Sequence, residues 1–398
     1  MEKILFLGIP AYGHINPTLG IIAELVKQGK EVVYFCSEEF RDRIEKTGAV
    51  FKCCSGLDDF LGKNKSQTHS LNKEDIVRVF EWTINSCEKI INEILEKIDD
   101  MKFDVIGYSV NFPYGYIMAQ ILQIPSFSSF EVFAKSKDIM PKELQKVVKE
   151  ILADHSLVDE YKELSLKLNA KYNIEMPELR ELFINKGDIN FAYTSKYFVP
   201  NIEEYDDTFK FIGPPIYDRK EDITDFPFEE IKGKKVIYIS LGTVFSNFYK
   251  NLYAIFFKAF KDFDAAVVMT AYNTDLSEFE IPENFIVRNY ISQTEILKYT
   301  DVAVTHSGMN STNDLLFNNV PFVAIPLGAD QPYMASRTEK LGACISLDKN
   351  NLTPGILRDS VNKVMTEPKY IENIKKINES FKKCGGYKRA VDEILSLA

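Results

Sequence analysis

The sequence predicts an α/β protein built from two doubly wound domains, on three observations. The chain opens with an apolar strand over residues 3–8, a glycine-bearing turn, a helix and a second strand, Glu31–Cys36, which is how a doubly wound sheet begins. The same order returns at residues 301–331, where Val302–Thr305 and residues 321–326 read as buried strands around a glycine turn and a short helix. Between these blocks, residues 213–222 set stiff prolines ahead of a run of charges, and 398 residues are too many for one ordinary domain.

Composition narrows the class. Hydrophobic content of 45% and charged content of 27% are those of a globular chain able to bury substantial cores. A formal charge of −10 argues against nucleic acid or an anionic membrane as the main partner. The cysteines (Cys36, Cys53, Cys54, Cys87, Cys344, Cys384) form no CxxC and no metal-ligand spacing. With no signal sequence they read as reduced thiols of a cytoplasmic protein. No apolar run reaches the ~20 residues of a membrane span.

In the first half, residues 9–17 form a turn and the helix runs from Thr18 to Lys27, ended by Gly29. Gly8-x4-Gly13 is not G-x-G-x-x-G, so a dinucleotide reading with Glu38 or Glu39 as the ribose acid is a poor match. Residues 55–72 are polar and rich in Gly, Ser, Asn and Lys, which predicts a mobile loop. From Ile76 to Ile98 apolar residues recur at three- and four-residue spacing, the mark of an amphipathic helix. Residues 103–108 and 125–129 read as strands flanking a helix over 113–122. Residues 130–187 are helical and charged, with aromatics including Phe133 and Tyr161 beside Met140. Residues 189–194 and 208–212 read as the last strands of this half.

The second half opens with a strand over 235–240 and a turn over 241–247, followed by strands over 265–270 and 285–288. In the 301–331 block, Ser307 and Gly308 open a loop, and Asn310, Ser311 and Thr312 are cap-type residues at a helix start. The free N–H groups and positive dipole end of such a helix suit an anion. Gly308 lets the backbone approach a phosphate, and His306 can donate to it. Asp314, one turn further on, would repel a phosphate but could accept two bonds from a ribose diol. Asp330 and Gln331 follow the next strand and carry groups suited to sugar hydroxyls. Phosphate, ribose and sugar partners in that order outline a nucleotide-sugar site. Further helices run through Thr338, over 353–365 and over 370–383, and a last one over 388–397 follows the Gly385-Gly386 break.

His306-x-Gly308-x-Asn310-Ser311, with Asp330-Gln331 some twenty residues on, resembles the donor signature of UDP-dependent glycosyltransferases of the bacterial macrolide and antibiotic type (family 1, GT-B fold). The resemblance implies two Rossmann-like domains whose parallel sheets face across a cleft. Residues 1–214 would take the acceptor, residues 223–385 the nucleotide sugar, and the C-terminal helix, 386–398, would cross back to the first domain. It implies inverting, metal-independent transfer of a hexose, glucose first, from a UDP-sugar to a hydroxyl of a small apolar acceptor such as a macrolide, flavonoid or other phenol. The UDP-sugar is a co-substrate, and no cofactor, metal, nucleic acid or stable membrane insertion is implied.

The resemblance also assigns residues. His14 falls on the G-H-x-x-P motif as the catalytic base, a chemistry suited to imidazole, although a histidine there could simply cap the first helix. Ser109 stands where many members carry the aspartate that orients this base. A serine supplies no negative charge, so His14 would work with a neutral partner unless another carboxylate reaches it from elsewhere in the chain. Gly242 and Thr243 match a turn that touches the terminal phosphate. Tyr290 and Gln293 match a segment that frames uracil, with Ser292 in place of its proline. Two alternatives stand beside this reading: an NAD-dependent oxidoreductase built on the first turn, and a catalytically weak nucleotide-sugar-binding protein that lacks the usual His-Asp dyad.

Overall fold

The computed structural model describes residues 1–58, 73–131, 142–153, 155–217, 226–243, 247 and 249–397. Residues 59–72 of the expected 55–72 loop, residues 132–141 of the helical insertion, residues 218–222 of the proline boundary and turn residues 244–246 lie outside the described residues.

Among the described residues thirteen strands form two sheets. The first contains β1 (Lys3–Leu7), β2 (Glu31–Cys36), β3 (Val50–Cys53), β4 (Val105–Ser109), β5 (Ser126–Phe130), β6 (Ile189–Ala192) and β7 (Phe209–Phe211), in the order β3-β2-β1-β4-β5-β6-β7. The second contains β8 (Val236–Ser240), β9 (Ala266–Thr270), β10 (Phe285–Arg288), β11 (Val302–Thr305), β12 (Phe322–Ala324) and β13 (Cys344–Ser346), in the order β10-β9-β8-β11-β12-β13. Every pairing is parallel. Parallel strands are buried on both faces by crossover helices, so β1, β8 and β11 read as continuous apolar runs. β3 and β13 carry no such signal: β3 has a lysine in a half-exposed edge, and β13 is only three residues long.

The first helix is longer than expected. It spans Tyr12–Lys27, with Pro17 inside it. A proline inside a helix lacks the N–H that would reach the carbonyl four residues back. Here that carbonyl belongs to Gly13, and its hydrogen bond comes from elsewhere in the chain, as described below. The helix can therefore begin six residues before Thr18, and His14 lies in its first turn.

The two sheets are held together by specific contacts. Ala390, Val391 and Ile394 of the last helix, Gly386–Leu395, pack into the core of the first sheet beside Ile15, Leu19 and Ile22 of the first helix. Phe198, Phe209 and Phe211 share one apolar cluster with Phe322, Ile377 and Phe381. The Arg337 guanidinium donates to the carbonyls of Phe198 at 2.7 Å and Tyr197 at 3.0 Å. Buried Asn313 donates through Nδ2 to the Tyr193 carbonyl at 2.9 Å. These bonds join the helices of the second half to the end of β6, which fixes how the two strand edges face each other. All six cysteines are unpaired thiols. Among the described residues no helix is long and apolar enough to cross a membrane.

Candidate active site

Each sheet changes its direction of growth between two neighbouring strands, β1 and β4 in the first and β8 and β11 in the second. Crevices at the carboxyl ends of such strands are where open α/β sheets take ligands. His14 follows β1, Ser109 ends β4, Gly242 and Thr243 follow β8, and His306 follows β11, so the two sets face the same crevice from opposite sides.

On the first side, His14 Nδ1 lies 3.2 Å from Glu131 Oε2. Ser109 donates its hydroxyl to the other oxygen, Glu131 Oε1, at 3.1 Å. The neutral-partner expectation is corrected: the group on the imidazole is a carboxylate, and Ser109 reaches His14 only through it. Glu131 is the residue after β5 and is 4% exposed. The phenols of Tyr34 and Tyr193 lie behind it. Burial pushes both far above the ordinary tyrosine range, with the Glu131 charge adding to the effect, so both stay neutral. Sequence reasoning missed Glu131. The available signal was a lone acidic residue directly after a strand, Ser126–Phe130, of a doubly wound sheet.

On the second side, the helix Met309–Phe317 starts one turn earlier than its cap-type residues suggest. Its N-cap is Gly308, with no side-chain cap bond. Thr312 N–H donates to the Gly308 carbonyl, so the N–H groups of Met309, Asn310 and Ser311 precede the first intrahelical bond and point toward the crevice. Ser307 holds a left-handed φ of 63°. Its hydroxyl bonds Thr312 Oγ1 at 3.1 Å and its N–H bonds Thr305 Oγ1 at 3.2 Å, which fixes a conformation non-glycine residues rarely adopt.

His306 sits in a slot made by two glycines. A Cβ on Gly242 or on Gly308 would fall 2.6 Å from His306 Nε2, and Gly242 also has a φ of +75°. His306 Nδ1 faces the Ser240 carbonyl at 3.4 Å. Burial pushes the imidazole down to about 4, only partly offset by that carbonyl.

Several predicted ligands are engaged with the protein itself. Gln293 Nε2 donates to Asp314 Oδ2 at 2.7 Å, so the residues expected to meet a base and a ribose separately hold each other. Gln331, expected to face sugar hydroxyls, is buried and accepts through Oε1 from the N–H groups of Leu327 and Gly328 at 2.8 and 3.2 Å. Asp330 remains at the crevice as the N-cap of the helix Gln331–Lys340. Burial raises its carboxyl above the ordinary range, while its own backbone N–H and His14, from the opposite side, pull it back. Tyr290 is exposed, with its ring centroid 6.5 Å from that of Tyr12. Asn310 donates through Nδ2 to the Gly13 carbonyl at 3.0 Å. That is the carbonyl Pro17 leaves without its helical partner, so the second half completes the first turn of the helix that carries His14. Among the described residues no group of three His, Cys, Asp or Glu is placed to hold a metal ion.

Residues 182–383 match the family model described as "UDP-glucoronosyl and UDP-glucosyl transferase". Two Bacillus subtilis proteins match along the whole chain. An uncharacterized UDP-glucosyltransferase, YojK, is 33% identical over 99% of this chain and 97% of its own. A second uncharacterized UDP-glucosyltransferase, YdhE, is 34% identical over 99% and 98%. Among solved structures, CalG4, the calicheamicin glycosyltransferase, superposes with a TM-score of 0.81 at 21% identity, covering 100% of this chain and 98% of that one.

Proposed function

The chain belongs to this UDP-glycosyltransferase family and is a GT-B enzyme that transfers a sugar from a UDP-sugar, and from that premise we propose that the sugar is a hexose, glucose first, and the acceptor a hydroxyl of a small apolar molecule such as a phenol or macrolide. The observation that carries the reading is the imidazole of His14, held by a buried carboxylate and facing a helix N-terminus across the crevice. With Nδ1 engaged by Glu131, Nε2 is the nitrogen that can take a proton. The acceptor oxygen attacks the anomeric carbon of the sugar and His14 takes the acceptor proton. The bond from that carbon to the diphosphate oxygen breaks, and its electron pair leaves on UDP. Attack from the side opposite the diphosphate inverts the anomeric centre. The N–H groups of residues 309–311, together with Thr243 and His306, receive the charge on the departing diphosphate, a task that preorganised donors perform without a metal.

The test is the configuration of the product. Transfer from UDP-α-glucose should give a β-glucoside by proton NMR, at a rate unchanged by EDTA. An α-glucoside, or activity that collapses in EDTA and returns with magnesium or manganese, would overturn this chemistry. The alternative of a catalytically weak binder rested on Ser109 lacking a charge, and the carboxylate on His14 weighs against it.

The glycine slot gives a second expectation. Gly242→Ala meets both a left-handed backbone, at about 1–2 kcal/mol, and the His306 ring. Displacing that ring should weaken UDP binding by about tenfold or more, the value of one hydrogen bond to a charged group. Calorimetry checks this, and unchanged affinity in a folded variant would take His306 out of the diphosphate site.

A further inference from the structure

We propose that Glu131 is the positioning residue for His14, so that the base-orienting carboxylate of this chain stands at the end of β5 instead of the end of β4, with Ser109 converted into its anchor. The inference rests on the reading of His14 as the base.

The sheet register makes the relocation possible. Ser109 pairs with Ser129, and Val110 N–H donates to the Ser129 carbonyl at 2.8 Å, so the ends of β4 and β5 lie side by side, about 4.8 Å apart. A side chain starting two residues beyond Ser129 must reach back over the end of β4 to meet His14. Glutamate has the methylene this needs, whereas an aspartate would start from β4 itself. Both carboxylate oxygens are engaged, Oε1 by the Ser109 hydroxyl and Oε2 by His14 Nδ1. One rotamer is therefore fixed and the imidazole tautomer with it, leaving Nε2 toward the acceptor.

Electrostatics point the same way. A buried carboxylate without a counter-charge is costly. Among its neighbours the Tyr34 and Tyr193 phenols are kept neutral and Ser109 is neutral, so the group that can compensate Glu131 is His14 when it becomes imidazolium. That charge appears as the acceptor proton moves, so the attraction is strongest in the transition state. Across the crevice, Asp330 also faces His14, without a hydrogen bond that would fix the ring. Ser109→Asp by itself gains nothing, because a second carboxylate beside Glu131 forces two like charges into one buried site.

The experiment compares wild type, Glu131→Gln, and Ser109→Asp alone and combined with Glu131→Gln, on an alkyl alcohol with UDP-glucose. Glu131→Gln should lower kcat by between about tenfold, the smaller effect of losing an orienting partner, and about 10⁴-fold, the loss when a base keeps its geometry but not its carboxylate. UDP affinity should hold. KM for the alcohol should stay within about a few-fold, because the lost attraction belongs to the transition state. Ser109→Asp should slow the wild type, yet restore kcat in the Glu131→Gln background.

Wild-type turnover in Glu131→Gln, with His14→Ala inactive, would overturn the relocation and spare the base. A slow Glu131→Gln that Ser109→Asp does not rescue would also overturn it, leaving Glu131 a structural role. Full activity in His14→Ala would instead remove the base reading beneath it.

Discussion

Replacing His14 by alanine lowers turnover on an alkyl alcohol by about 10²- to 10⁴-fold, the usual contribution of a general base, while UDP binds as before. The asymmetry follows from where the residue sits. His14 belongs to the first turn of the helix after β1, and its side-chain partner is Glu131, whereas the diphosphate donors lie after β8 and β11. An alkyl alcohol is too weak an acid to lose its proton unaided as it attacks. A phenol ionises far more readily, so the same variant keeps more of its rate on a matched phenol or thiol. Turnover on the alcohol–phenol pair, with calorimetry on UDP, checks both halves. Equal losses on the two acceptors, or none on either, would show that His14 does not take the acceptor proton.

Binding of a UDP-sugar should take up a proton, and the reason lies in His306. The Ser240 carbonyl can only accept, so Nδ1 carries the hydrogen, and burial keeps the ring neutral down to about 4. A neutral ring in that tautomer presents a lone pair at Nε2, the atom in the slot between Gly242 and Gly308. It cannot donate to a phosphate there without gaining a proton, and a bound diphosphate supplies the negative charge that favours this.

The sign follows directly. The free protein leaves His306 unprotonated at any pH above about 4, whereas the complex holds the proton up to a higher pH. Affinity for UDP-glucose therefore strengthens as pH falls from neutrality toward 5, by up to about tenfold per unit. UDP-glucose is the right probe because the terminal phosphate of UDP itself titrates near pH 6. Asp330, whose carboxyl is also raised, is removed as a second source of protons by repeating the titration in Asp330→Asn. In His306→Ala the affinity falls by about 10- to 150-fold, which is 1.5–3 kcal/mol, and its pH dependence flattens. Calorimetry in buffers of different ionisation enthalpy counts the protons. A flat affinity with no proton uptake in the wild type would mean that His306 meets the sugar or nothing.

Much of this molecule was legible in its sequence because the relevant signals are local. An apolar run, a glycine turn and a helix start mark each strand edge, and His306, Gly308 and Asp330 lie within one such block. What the sequence concealed depends on neighbours that are distant along the chain. Glu131 meets His14 because β4 and β5 are adjacent in the sheet, a fact that no spacing between residues 14 and 131 encodes. The bond between Gln293 and Asp314, and the grip of Gln331 on its own loop, turn three expected ligands inward for the same reason. The first helix, expected from Thr18 after a turn, begins at Tyr12 with Pro17 inside it, which leaves the Gly13 carbonyl without its helical partner. Here Asn310 supplies one from the other half of the molecule.

The account is tested most directly by incubating the protein with UDP-glucose and a panel of phenols, alkyl alcohols and macrolides, following UDP release and product mass together. The predicted result is UDP that appears only when an acceptor is present, equimolar with a product heavier by one hexosyl unit. The contradicting result is a protein that binds UDP-glucose yet releases no UDP with any member of the panel.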